Sequence, residues 1–169
     1  RREAMASPYF SVVTDVGTTE MVKALNEDRK LNIIEFAVGD GNGAYYSPTQ
    51  EMTALRREVW RGSVHSCRIS EDNENVLVIE SVIPANEGGF TIREMAIFDD
   101  KGNMIAICNT PDTQKVKVSD GVVHELALSM EILVSNTDSI ELMVDPNVVT
   151  ATKKDIERLR QSLTQSINI

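Results

Sequence analysis

The stretch that most constrains this chain runs from Gly88 to Asn109, GGFTIREMAIFDDKGNMIAICN. It reads as a β-hairpin. Two apolar runs, Met95–Phe98 and Met104–Cys108, flank a turn made of Asp99, Asp100, Lys101, Gly102 and Asn103. Gly102 can take the positive φ of a short hairpin loop, and Asp and Asn side chains bond locally to turn backbone. Neither run alternates strictly, so both strands are expected to be covered on both faces and to lie mid-sheet. Arg93 and Glu94 precede the first run. Neighbours on an extended strand point to opposite faces, so these two cannot pair with each other. Either each finds its own satisfied contact, or one of them meets a second subunit or a docking partner.

The rest of the chain reads as strands with few helices. Tyr9–Thr14 is a short extended segment, followed by a helix capped by Thr18 or Thr19 and reaching about Asn26, with Met21, Val22 and Leu25 inward. Leu31–Val38 is a strand with Ile34, Phe36 and Val38 on one face. It ends in Gly39-Asp40-Gly41-Asn42-Gly43, whose glycines imply a tight, unusual backbone path. No Lys-Ser/Thr follows at the spacing of a phosphate loop, and Asp40 is the only acid between Gly39 and Gln50, too few for calcium. A shaped loop is the better reading. Asp40 and Asn42 within it, and Tyr45 and Tyr46 just after it, are candidate partner contacts, as are Arg93 and Glu94. Ser47 and Pro48 suit the N-cap and first position of a second short helix to about Arg57, with Met52 and Leu55 inward. Trp60–Ser70, which contains His65, is a polar strand, and Val76–Ile83 a strongly apolar one. Thr110–Lys115 reads as a loop and Lys115–Val118 as a brief strand. Val122–Val134 alternates most cleanly, and Ile140–Val144 is expected to return beside it. From Thr152 a terminal helix carries one narrow stripe, Ile156, Leu159, Leu163 and Ile167. That stripe either docks on its own domain or begins a coiled coil. Two heptads are few, but the coiled coil is preferred; the pattern stops with no C-cap, as though more protein should follow.

The expected fold class is therefore mainly β (α+β): an antiparallel β-sandwich-like head with two short helices and a C-terminal helix leading into a stalk. The expected division is an extension over 1–4 ahead of Met5, a head over 5–149, and the stalk helix over 150–169. At 169 residues one domain is the default. Lys and Arg number 17 against 26 Asp and Glu, a net charge of −9, which argues against nucleic acid and against an anionic membrane surface as partners. Cys67 and Cys108 sit singly in strands, with no metal-binding spacing; no cofactor and no metal are expected. No apolar segment follows Arg1 and Arg2, so synthesis in the cytoplasm is expected. A glycan hydrolase would need two carboxylates across a cleft; Glu80, Glu94 and Glu131 lie in expected strands, but their spacing gives no reason to converge.

Four blocks in fixed order carry a resemblance: Tyr9–Gly17 (YFSVVTDVG), Phe36–Pro48 (FAVGDGNGAYYSP), Ile83–Phe98 (IPANEGGFTIREMAIF) and Val134–Lys154 (VSNTDSIELMVDPNVVTATKK). Together they resemble the N-terminal domain of phage tail-collar fibre proteins, found in contractile-tailed phages and in phage-tail-like bacteriocins. The resemblance implies a structural protein rather than an enzyme, part of a virion or tail-like particle. Its head would attach a homotrimeric fibre to a baseplate wedge protein, its terminal helix would enter the shaft, and the distal fibre would recognise the host. The stripe alone leaves dimer and trimer open. A carbohydrate-binding module that touches the host directly is the second reading, although one Trp and three Tyr are a thin supply of stacking platforms.

Overall fold

A computed structural model describes residues 9–117, 125–134 and 140–142, the last three by their backbone alone. The elements are β1 (Ser11–Val13), α1 (Asp15–Asn26), β2 (Leu31–Gly39), a 3-10 turn (Gly41–Gly43), β3 (Glu58–Ser63), β4 (Ser66–Ile69), β5 (Val76–Ile83), β6 (Phe90–Asp99), β7 (Met104–Lys115), β8 (Leu126–Leu133) and β9 (Ile140–Leu142). One sheet has the order β1-β7-β6-β2-β3, with β9 also on β2; the second has the order β4-β5-β8. All pairings are antiparallel except β2 with β9. The sequence-predicted β-rich, sandwich-like head is what forms.

The hairpin is β6–β7, mid-sheet as expected, with Gly102 at φ +83° in its turn. Its mixed apolar runs have a direct cause. Met95 and Ile97 face the second sheet and pack in one core with Phe36, Val38, Ile79 and Met130. The alternate residues Ala96 and Phe98 join Ala37, Met104, Ile107 and Leu55 in a core on the opposite face, with Met52 and Tyr46 against it. A strand buried on both sides has no polar face to alternate with. In β8 the alternation does survive: Leu128, Met130 and Ile132 are buried, while Ala127, Ser129, Glu131 and Leu133 are exposed.

Several expectations need correction. The register of β2 against β6 shifts between Ile33 and Glu35, so Ile33, not Ile34, shares the core face with Phe36 and Val38. Helix α1 begins earlier than the Thr18 or Thr19 cap. Buried Thr14 is the N-cap, accepting from Gly17 N at 2.9 Å and donating to Met104 O at 2.6 Å. The helix docks through Gly17, Glu20 and Ala24, and Val22 and Leu25 are about half exposed rather than inward. The helix expected over 47–57 does not form. That segment is an irregular loop, although Leu55 is buried and Met52 partly so, as anticipated. The polar strand expected over 60–70 is two strands in two sheets, β3 and β4, parted at Val64 and His65. β7 runs on to Lys115, where a loop over 110–115 was expected. β9 pairs with β2 rather than returning beside β8. Both cysteines are free thiols; burial pushes Cys67 up to about 11 and Cys108 up to about 12. The C-terminal helix with Ile156, Leu159, Leu163 and Ile167, and the turns expected over 119–121 and 135–139, lie outside the described residues.

The helix approaches β7 so closely that a Cβ on Gly17 would sit 2.2 Å from Ile105 O and 2.9 Å from Ile105 C. Alanine favours a helix over glycine by about 1 kcal/mol, but this clash is with strand backbone, which cannot turn away. Gly17→Ala is therefore expected to lose about 1–3 kcal/mol net, read as a lower denaturant midpoint. His65 supplies a pH test. Its Nδ1 is buried with no hydrogen-bond partner, and desolvation lowers its pKa below the usual 6.5, opposed by the Glu125 carboxylate. Below that usual value the unfolded chain takes up the proton more readily than the folded one, so stability falls as pH drops from about 6.5. Melting temperatures at pH 7.5 and 5.5 should differ less in His65→Gln than in the parent.

Candidate functional site

The most organised polar cluster is built on Glu94. A register shift in β6 between Ile92 and Glu94 leaves Arg93 at the irregularity and turns the Glu94 side chain inward, with no solvent exposure. Its Oε1 accepts from Arg56 N at 2.9 Å and from the Tyr46 hydroxyl. Its Oε2 accepts from Gly41 N at 2.9 Å and Arg57 N at 3.0 Å. Four donors converge on one carboxyl group, which is what permits burial of so polar a side chain. Burial, reinforced by the bond to Glu94, raises the Tyr46 hydroxyl well above its usual pKa, so it remains a donor. The Arg56 guanidinium lies 3.8 Å from the centre of the Tyr46 ring.

This explains the glycine-rich segment. A Cβ on Gly39 would lie 2.4 Å from Glu94 Oε2 and 2.4 Å from Arg57 O, so the carboxylate occupies the space a side chain would take. Gly41, Asn42 and Gly43 then turn with positive φ. Asp40 fastens the turn: Oδ1 accepts from Asn42 N at 2.9 Å, and Oδ2 accepts from Arg57 Nη1 at 3.1 Å. The same demand for Arg56 and Arg57 amides explains why 47–57 is not a helix. Its last N–H groups serve Glu94 instead of carbonyls four residues back.

Above this cluster lies a rim. Arg93 donates from Nε to Asp112 Oδ1 at 3.1 Å and from Nη1 to Asp40 O at 3.0 Å. Asn109 accepts from Phe10 N at 2.8 Å and donates to Tyr46 O at 3.2 Å, tying the start of the chain to the loop. The Tyr9 and Tyr45 rings meet at 5.8 Å, tilted by 55°, and are 36% and 44% exposed. Desolvation, then hydrogen bonds with Asp112 and Tyr9, raise the Tyr45 hydroxyl above its usual pKa. Asp40, Arg57, Glu58, Phe90, Thr91 and Arg93 line an adjoining polar depression of about 610 Å³.

The six candidate partner contacts thus come together at one end of the larger sheet, in unequal roles. Asn42 and Tyr45 are exposed, and Arg93 is partly so; Asp40 and Tyr46 act mainly within the protein, and Glu94 wholly so. Sequence reading missed Tyr9, Asn109 and Asp112, which β1 and β7 bring to the rim with no local motif to mark them. The carboxylates considered for hydrolysis are held apart in function. Glu80, on β5, accepts from Ser66 Oγ at 3.1 Å and pairs with Arg68 at 3.4 Å, while Glu131 is exposed on β8. Among the described residues no cluster of His, Cys, Asp and Glu could hold a metal ion, and no helix is long and apolar enough to cross a membrane.

The structure is thus a β sandwich whose end carries a tightly braced loop rim. The chain belongs to the family described as phage tail-collar fibre protein, N-terminal, which it matches over residues 5–154. It is 33% identical over 154 residues to a probable tail fiber protein of Escherichia phage P2, across 90% of this chain and 23% of that relative. The chain thus spans under a quarter of that relative's length. No solved structure matches it significantly. All four sequence blocks named above fall within the matched residues.

The Glu94 cluster has a direct test. In Glu94→Gln the amide nitrogen must face N–H donors, leaving at least one of them without an acceptor. A loss of about 2–4 kcal/mol is expected. Amide exchange should accelerate first at Gly41, Arg56 and Arg57; protection unchanged at all three would contradict the assigned role.

Proposed function

We propose that this chain forms the baseplate-attaching end of a tail fibre. The head anchors a homotrimeric fibre to a wedge protein in the baseplate of a contractile tail, phage or bacteriocin, and distal parts of the fibre recognise the host. One observation carries the reading: the match over residues 5–154 is to the N-terminal part of tail-collar fibre proteins, while the P2 relative has more than three times as much protein beyond the shared span. The braced rim supports it, since a surface fixed before contact loses little entropy on binding. The same family membership supports a structural rather than enzymatic role.

A second reading, direct contact with host carbohydrate, is favoured by the exposed Tyr9–Tyr45 pair, because aromatic faces stack on sugars as well as on proteins. Gold labelling of an N-terminal tag on assembled particles separates the two. Label at the baseplate is expected; label at the fibre tips would overturn the attachment reading. The stalk is tested by light scattering of residues 5–169, with and without the part beyond Thr150. A trimer that dissociates on truncation is expected, and a mass unaffected by the truncation would remove the stripe of Ile156, Leu159, Leu163 and Ile167 from the interface.

A further inference from the structure

The rim holds one surface whose side chains remain well exposed while they contact one another and Arg93. Tyr9 and Tyr45 tilt against each other with over a third of each in solvent, and the nearby Asp112 carboxylate, which accepts from Arg93 Nε, is 51% exposed. Two arginines of this chain already cover aromatic faces, Arg56 over Tyr46 at 3.8 Å and Arg61 over Phe98 at 3.9 Å. Their geometry shows what suits a ring beside a carboxylate in this protein: Arg56 stacks on a tyrosine whose hydroxyl bonds Glu94. Tyr45 and Asp112 likewise set a ring near an acid, here with both residues exposed. The mutual tilt of 55° makes a notch rather than the flat platform a sugar ring prefers. The notch is also held firmly, by Arg93 on Asp112 and by Asn109 between Phe10 and Tyr46.

We propose that the notch of Tyr9, Tyr45 and Asp112 is the docking point of the head, and that its partner is a protein segment presenting a basic side chain, arginine before lysine. The net charge of −9 favours a cationic partner at long range, and the ring faces with Asp112 favour a planar guanidinium at contact. This rests on the attachment reading and names the surface and the chemistry it uses. Tyrosine anchors of this kind carry a large share of binding energy at protein interfaces.

The test uses assembled particles carrying the full fibre. A photoreactive phenylalanine replacing Tyr45 is expected to cross-link to a baseplate segment that contains Arg or Lys at the contact, whereas the same group replacing Thr18 on α1 is not. Asp112→Lys should reduce fibre occupancy by about tenfold or more, Asp112→Asn by less, with the melting temperature of the Asn variant unchanged. Several results would overturn the assignment: wild-type occupancy of Asp112→Lys, no cross-link from position 45, a cross-link to a second copy of this chain or to a segment without a basic residue, or glycan binding abolished by Tyr45→Ala. The gold label reports the attachment reading separately. Label at the baseplate without a cross-link from position 45 removes only the surface. Label at the tips with a cross-link to a basic segment removes only the baseplate.

Discussion

The two oxygens of Glu94 bind loop segments that lie outside the strand ladders. Through them β6 holds the turn after β2, the ring of Tyr46 and the backbone that leads into β3. Two constraints follow from placing a carboxylate there. Residue 39 must lack a side chain, because the acid fills that space, and the chain before β3 must forgo helix so that its amides remain free to donate. The glycine-rich loop and the irregular segment 44–57 are thus consequences of one buried acid in the neighbouring strand.

That irregular segment also serves as a layer. The larger sheet has the smaller one on its first face, while on its second Leu55, Met52 and Tyr46 supply the apolar cover. Arg61 adds to it by lying over Phe98. A loop pinned by hydrogen bonds on one side and by burial on the other moves little. It can therefore present Tyr45 and Asn42 at fixed positions although neither belongs to a regular element.

How far the sequence could be read depended on the range of the deciding interaction. The β6–β7 hairpin was legible because its turn chemistry is local: Gly102 and the Asp99 carboxylate, which accepts from Lys101 N and Asn103 N, lie within a few positions. β8 was legible because water lies on one of its faces. Ser47 and Pro48 make a good helix start, and local propensity was overruled by an acid 38 positions from Arg56. The inward face of β2 was misjudged through one extra residue in the register, which hydrophobicity does not reveal. The partner of β9 was misassigned because alternation identifies a strand but not its neighbour. At the site, the glycine loop, the tyrosines and Arg93 were visible as unusual residues. Asp112 and Asn109 were not, since their importance lies only in what folding sets beside them.

The path of the first strand has a consequence for how the molecule is made. Among the described residues β1 pairs only with β7, and Phe10 meets Asn109 across 99 positions; Ser11 donates to Glu131 across 120. Such contacts wait for most of the head to be synthesised, and closing long loops slows folding. Until then β1 and β2 have edges without partners, whereas β6 and β7 pair as soon as both leave the ribosome. The β6–β7 pairing thus needs the least chain to form and the β1 contacts the most. The P2 relative shares this region over 23% of its own length, so in that protein these long-range contacts involve a minor part of the chain.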